Sequence, residues 1–540
     1  MSYNSVINNY NEHEYIQNSI AVFYFLCTRT DQYSLVYLSI CFEKLIKQII
    51  KKMRTDYFDY IIYLKCLFKM IPYTRDISFG KGEKLVSYMM ICVFYKYYPN
   101  IAIYAFKEIL DKNIGCWADV KYFCHFVYFD TIFTNEEKEK LISNSIGIML
   151  YQLDRDAFFW EKMFQHYLNK FEKNNNTSRP IAKSIISNVA KWVPRESGKF
   201  KWLFDKIVLQ WNFIHCPFIF ENIKSEYHQN KIMNKCKMEF RKMVVKLNKE
   251  LDTVQIKQCE KKSNDISPQN VSLMTMIKQK KNFSNHDNFK EYFYHGEPGV
   301  NLQHKSTHIS LDYFVKDAIR LINKPFTSKI ASQMAFLNNS WKKNVLMHFK
   351  NKNVTNILPI VDVSLTNNQT LYSSLGFGIA ISQISKLNRI ILVENHFEII
   401  EVLYNSDFID IVRELYPFIT KTIDLNITKL VEYLNSANTL VKEHIYYVFL
   451  SNNENIFNIL KDFIIVNSYV TMIFWNVFSV LEEDNCDKYI DTFYKYNAFF
   501  LSGCSPTTLY ALNENMIKNQ STFYFVNETV NSSRYSSFDN

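Results

Sequence analysis

The stretch Ile360-Val361-Asp362-Val363-Ser364-Leu365-Thr366 runs from apolar residues into an acid followed by alternating hydroxyls. An acid and two hydroxyls at this spacing present three oxygens on one tight loop. That suits a hard divalent cation such as Mg2+, which wants a near-octahedral shell of oxygens. Asp362, Ser364 and Thr366 are therefore the candidate metal ligands, and Mg2+ is the cofactor they would take. A Thr and a second acid, each after a later strand, normally complete such a set. Here Leu425 stands where the Thr is expected, with Thr428 nearby, and Ser451, Asn452 and Asn453 stand where the acid is expected. The set reads as degenerate. Its alternative is a strand-end loop whose hydroxyls bond the backbone.

A second chemistry is electrostatic. The chain carries a formal net charge of +10. Between Lys231 and Lys290 there are fourteen Lys/Arg against six Asp/Glu, so most of the excess sits in one ninth of the chain. A concentrated positive segment suits phosphates. The candidate contacts are Arg241, Lys242, Lys246, Lys249, Lys257, Lys261, Lys262, Lys278, Lys280 and Lys281. The competing reading is a solvated helix face followed by a basic loop. In "KWVPRESGKFKW" (191–202), Trp192 and Trp202 alternate with Lys191, Arg195, Lys199 and Lys201. Aromatics among cations can stack on single-stranded nucleic acid, and they can equally be core rings beside surface lysines.

Other constellations are incomplete. His295, Glu297, His304 and His308 share one region, but Gly296, Pro298 and Gly299 oppose the helix that zinc ligation by paired histidines would use. "GKGEK" (80–84) is too short for a phosphate loop, so a cap-and-turn role for Gly82 is expected. Cys504, between Ser502 and Ser505, has no His nearby in sequence to activate it. With no full triad, no paired acids and no nucleotide loop, the chain reads as non-catalytic.

These residues need elements to position them. Gly (10) and Pro (11) are scarce in 540 residues, which fits long helices with few hairpins. Residues 1–230 read as helix after helix with short polar joints, the pattern of a solenoid of helical pairs. The region around 260–310 is polar, basic and broken by Gly and Pro, so loops and short helices are expected there. From about 354, strands and helices alternate. "NILPIVDV", "RIILVEN", "HIYYVFLSN", "TMIFWNV" and "NAFFLSGC" read as strands of a parallel α/β sheet. Ligands of such sheets sit at the carboxyl ends of the strands, where Asp362 and Ser364 fall. The final "NETVNSSRYSSFDN" reads as a disordered tail by its Ser and Asn content. Eleven scattered Cys with no C-x-x-C pair suggest free thiols in a reducing compartment. The polar N-terminus reads as no signal peptide, and the apolar run 463–481 is interrupted by Asn467, Ser468 and Asn476. A cytoplasmic protein with no membrane span is expected.

Several phrases together resemble one uncharacterised family of plants and giant viruses, which joins a TROVE-like helical region to a von Willebrand factor A-like domain. They are "SFGKGEKLVSYMMICVFYKYYPNIAIYA" (78–105), "GCWADVKYF" (115–123), "KWVPRESGKFKWLFDKI" (191–207), the segment 240–276, "ILPIVDVS" (357–364), and "MIFWNV" with "FFLSGCSPTTL" (472–509). They span most of the chain in order, and the composition looks like that of a giant-virus member. The resemblance implies a HEAT-like, TROVE-like all-α repeat solenoid over 1–350, with its basic, partly irregular segment at about 231–310. It implies a Rossmann-type von Willebrand factor A-like α/β domain over 351–525, leaving 526–540 as the tail. By analogy of fold it implies RNA binding through the helical region, with a degenerate metal-ion-dependent adhesion site in the α/β domain and the host cytoplasm as location. The rival reading is a protein-interaction scaffold that grips a protein partner through the strand-end loops, with or without Mg2+.

Overall fold

The protein is described by a computed structural model covering residues 12–27, 32–129, 133–173, 186–218, 225–268, 271, 273–283, 286–289, 310–345, 356–365, 367–393, 397–402, 406–419, 430, 432–434, 444–451, 470–477, 499–502, 509 and 522–539. The chain divides into two compact units. One is formed by residues 1–93 together with 272–540, the other by 94–271.

Among the described residues of the 94–271 unit, all regular elements are helices. Its helices are α5 (Pro99–Asp111), α6 (Ala118–Phe129), α7 (Asn135–Lys173), α8 (Val189–Trp192), α9 (Lys201–His215), α10 (Glu226–Leu251) and α11 (Val254–Cys259). It also takes the last turn of α4 (Lys84–Tyr97). Local chemistry starts and stops them. Pro99 opens α5, where its fixed φ suits the first turn. Thr134 and Glu137 form a reciprocal capping box at the start of α7. The Glu137 amide donates to the Thr134 hydroxyl at 3.3 Å, and the Thr134 amide donates back to the Glu137 carboxylate at 2.9 Å. Asp252 ends α10 in the left-handed region, at φ 45°. Helix α7 packs on α5, α6 and α9, while α10 lies against α8 and α9.

The other unit combines N-terminal helices with a sheet. Helices α1 (Glu12–Leu26), α2 (Gln32–Met53) and α3 (Tyr57–Arg75) pack on one another. The expected turn follows α3. Lys81 N donates to Tyr73 O, Gly82 N to Asp76 O and Glu83 N to Thr74 O, so the loop occupies carbonyls that the helix end leaves open. Gly82 supplies the positive φ, 70°, that this wrap requires. After short helices α12 (Leu273–Lys278) and α13 (Lys280–Phe283) come α14 (Leu311–Ile322) and α15 (Ser328–Asn344).

The α/β part follows. Its elements are β1 (Ile357–Asp362), α16 (Asn368–Ile384), β2 (Arg389–Val393), β3 (Phe397–Glu401), α17 (Phe408–Ile419), β4 (Ile445–Ser451), β5 (Val470–Asn476) and β6 (Phe499–Ser502). The strand order is β3-β2-β1-β4-β5-β6, parallel except for β3, which runs antiparallel at one edge. A mostly helical chain with a C-terminal α/β sheet is the coarse architecture expected from the sequence. The short antiparallel edge strand was not anticipated. Helix α16 is buried along its length, between β1 and α14. Two glycines allow this. A Cβ on Gly378 would sit 2.6 Å from Val361 Cγ2, and one on Gly376 would sit 2.6 Å from Leu311 Cβ.

One expectation is overturned. The Ser- and Asn-rich composition of residues 526–540 predicts a disordered tail, yet α18 (Thr522–Val530) and a 3-10 helix (Ser533–Phe538) are folded against α1 and α3. Val526, Val530, Tyr535 and Phe538 are buried. Phe525 stacks on Phe25, and Phe523, Tyr535 and Phe538 meet Tyr63, Tyr73 and Phe68. The reason is apolar spacing inside a polar composition: Phe523, Val526, Val530, Tyr535 and Phe538 fall on one side, and the Ser and Asn residues lie between them. Asp76, wholly buried at the end of α3, completes the dock. Its carboxylate pairs with Arg534 and accepts from the Tyr535 hydroxyl at 2.9 Å and the Ser78 amide at 2.8 Å.

Candidate strand-edge site and nucleic-acid interface

The hydrogen-bond register places the polar ends of three strands side by side. Val361 pairs with Leu450, so Asp362 and Ser451 are next to one another, and Ser451 pairs with Asn476. Asp362, Ser451 and Asn476 thus form a row along the carboxyl edge of β1, β4 and β5, and all three are buried. Strand order reverses between β1 and β4, the place where open α/β sheets present their ligand crevice. Asn476 was missed by sequence reasoning. The signal was present: "IVD", "FLS" and "FWN" are three apolar runs that each close on a polar residue.

Both oxygens of Asp362 are occupied. One accepts from the Ser364 hydroxyl at 2.6 Å and its amide at 3.0 Å, and the other accepts from the Ser451 hydroxyl at 2.6 Å. The hydroxyl expected to face a cation therefore faces the carboxylate. The row offers one carboxylate beside neutral oxygens, and among the described residues no group of three His, Cys, Asp or Glu could hold a metal ion. Mg2+ binds through carboxylates with several retained waters. The described donors do not fit a resident Mg2+. They fit a closed hydrogen-bonded lock joining β1 to β4. Thr366, Leu425, Thr428, Asn452, Asn453, Cys504 and the histidines at 295, 304 and 308 lie outside the described residues.

The basic candidates separate into groups. Cys236, Phe240, Leu247 and Leu251 are the buried residues of α10, with Phe240 against Phe204 and Trp211. At 100° per residue, the opposite face carries Lys231, Lys235, Lys242, Lys246 and Lys249 within about 60° of arc and over roughly 27 Å of helix. All five are exposed. Lys242 reaches Glu239 at 3.0 Å and Lys246 reaches Glu161 at 4.0 Å, both in solvent where such pairs are weak. Lys231, Lys235 and Lys249 make no ion pair among the described residues. Lys231 and Lys235 stand outside the ten candidates drawn from the sequence, although their spacing along α10 continues that of Lys242, Lys246 and Lys249.

Arg241 belongs to another side of α10. It bonds Glu196 at 2.6 Å, and neighbouring Lys237 bonds Asp205 at 2.6 Å. Those two cations hold α10 to the 196–205 segment. Lys257 is half-buried and tied to Asp252 and to the Asp265 carbonyl, each at 3.1 Å. Lys261 and Lys262 are exposed beyond α11, with Lys262 paired to Glu260 at 2.8 Å. Lys278, Lys280 and Lys281 fall on α12 and α13, in the unit that holds the sheet, so the ten candidates are divided between the two units.

Comparison with protein-family models, with curated proteins and with solved structures returned no match. Among the described residues, no helix is long and apolar enough to cross a membrane.

Proposed function

We propose that this protein binds RNA without catalysing a reaction on it, and that the lysine-lined outer face of α10 is the phosphate-contacting surface. The observation that carries this reading is the alignment of Lys231, Lys235, Lys242, Lys246 and Lys249 opposite the buried face of the helix. A row of ammonium groups over roughly 27 Å matches a run of backbone phosphates, which supply affinity without sequence choice. The resemblance to TROVE-like helical proteins points the same way by analogy of fold. The parallel sheet ending in Asp362 supports a von Willebrand factor A-like reading of the α/β part. Partner capture at the strand edge is less well supported, because the Asp362 carboxylate is turned inward and bonded on both oxygens.

The test is binding of a short fluorescent RNA by the full chain at two salt concentrations. Five phosphate contacts on a single strand give a slope near −3.5 in log K against log salt, so affinity should fall about 100-fold between 50 and 200 mM. Replacing Lys242, Lys246 and Lys249 with Gln should flatten the slope by about 2. Absence of binding at 50 mM would remove the proposal.

A further inference from the structure

A second surface of the 94–271 unit is lined with aromatic rings. The buried side of α6 carries Val120, Phe123, Cys124 and Val127. Its other side carries Lys121, Tyr122, His125, Tyr128 and Phe129, of which Tyr122, Tyr128 and Phe129 are 37%, 45% and 65% exposed. The 191–202 segment lies across this side. Tyr128 and Trp202 stack with centroids 4.5 Å apart at 28°. Phe200 meets Tyr122 and His125 edge-on at 5.7 and 5.4 Å. Cations are interleaved with the rings. Lys121 Nζ lies 4.9 Å from the Trp192 ring and 5.1 Å from Tyr122, with Lys191 5.3 Å from Trp192 and Lys199 5.9 Å from Phe200.

We propose that this face is a stacking platform for the bases of a single RNA strand, a reading that rests on the RNA binding proposed for α10. Trp192 and Trp202 are half-buried rather than sealed in the core, and the exposed Tyr122, Tyr128 and Phe129 beside them bring aromatic surface within reach of a flat ligand. The chemistry selects the occupant. Aromatic faces suit planar bases, and the lysines between them suit phosphates more than an apolar protein surface. Nearby carboxylates do not oppose an anion. Asp119 is buried and accepts from the Cys116 amide at 2.8 Å, while Glu196 is taken up by Arg241 and Lys237. A duplex keeps its base faces stacked on one another, so only an unpaired strand can offer them.

The experiment compares a 12-nucleotide oligoadenylate, an RNA duplex of similar length and inorganic polyphosphate on the full chain and on variants. Phe129→Ala removes the most exposed ring, and Trp202→Phe keeps a ring where removal would endanger the fold. Phe129→Ala and Tyr122→Ala should each weaken single-strand binding roughly tenfold, leaving the salt slope and duplex and polyphosphate affinity unchanged. Saturating oligoadenylate should quench tryptophan emission, and the quenching should diminish in Trp202→Phe. Variants that bind the single strand like the parent would overturn the platform, as would equal losses for polyphosphate. Lack of quenching at saturation would overturn it too. If the parent chain binds none of the three at 50 mM salt, the α10 reading falls with it, whereas failure of the platform alone leaves salt-dependent binding intact.

Discussion

With both carboxylate oxygens of Asp362 accepting short bonds from Ser364 and Ser451, replacement by Ala strands two hydroxyls and an amide at the strand edge. Hydrogen bonds to a charged group contribute about 1.5–3 kcal/mol each and are not additive, so Asp362→Ala should lower stability by about 3 kcal/mol. Denaturant unfolding followed by tryptophan emission reads the change. A shift that depends on added Mg2+ would contradict the lock described here. Lys81 makes a different prediction. It is buried, donates to the Tyr24 carbonyl and sits 3.9 Å over the Tyr24 ring. Burial pushes its ammonium down to about 8 from an ordinary value of 10.5. Below pH 8 both folded and unfolded chains carry the charge, and the burial penalty is present in full. Between pH 8 and 10.5 the unfolded chain holds the proton and the folded chain does not, so this group makes stability rise with pH, by up to roughly 3 kcal/mol. The Cys27 thiol, pushed up to about 12 by burial, opposes the rise above pH 9. Comparing Lys81→Met with the parent isolates the lysine: the variant should lack the rising component between pH 8 and 10.5.

At the scale of elements, α16 depends on having no side chain at two places on opposite sides. Gly378→Ala drives a methyl into Val361, the residue before Asp362, and should destabilise the sheet by about 1–3 kcal/mol. Thermal unfolding measures this, and an unchanged midpoint would contradict the close approach of helix and strand. The sequence shows why some elements were legible and others were not. Apolar runs closing on Asp362, Ser451 and Asn476 mark buried parallel strands before any register is known. The edge strand β3, "FEIIE", has no clean alternation, lies largely exposed and is too short to stand out. The basic segment was visible as net charge, but charge counts carry no direction. Only the phase of α10 separates its outward lysines from Arg241 and Lys237, which are consumed by Glu196 and Asp205.

For the whole molecule, the informative feature is that one unit is assembled from two distant parts of the chain, 1–93 and 272–540. Composition hid this, because Ser and Asn masked the apolar spacing of the last twenty residues. Removing residues 522–540 should uncover Phe25, Tyr63, Phe68 and Tyr73 and leave Asp76 buried without Arg534. Amide hydrogen exchange should then accelerate across α1 and α3, by a factor of at least 100 if the loss is about 3 kcal/mol or more. Unchanged protection there would show that the C-terminal helices merely rest on the unit. Arg534 lies 458 residues after Asp76. At a synthesis rate of about 5–20 residues per second, the nascent α1 and α3 wait roughly 20 to 90 seconds for their aromatic cover. Until then the rings of Phe25, Tyr63, Phe68 and Tyr73 lack the side chains that cover them in the folded chain, so a chain interrupted before residue 522 exposes a sticky aromatic surface near its beginning.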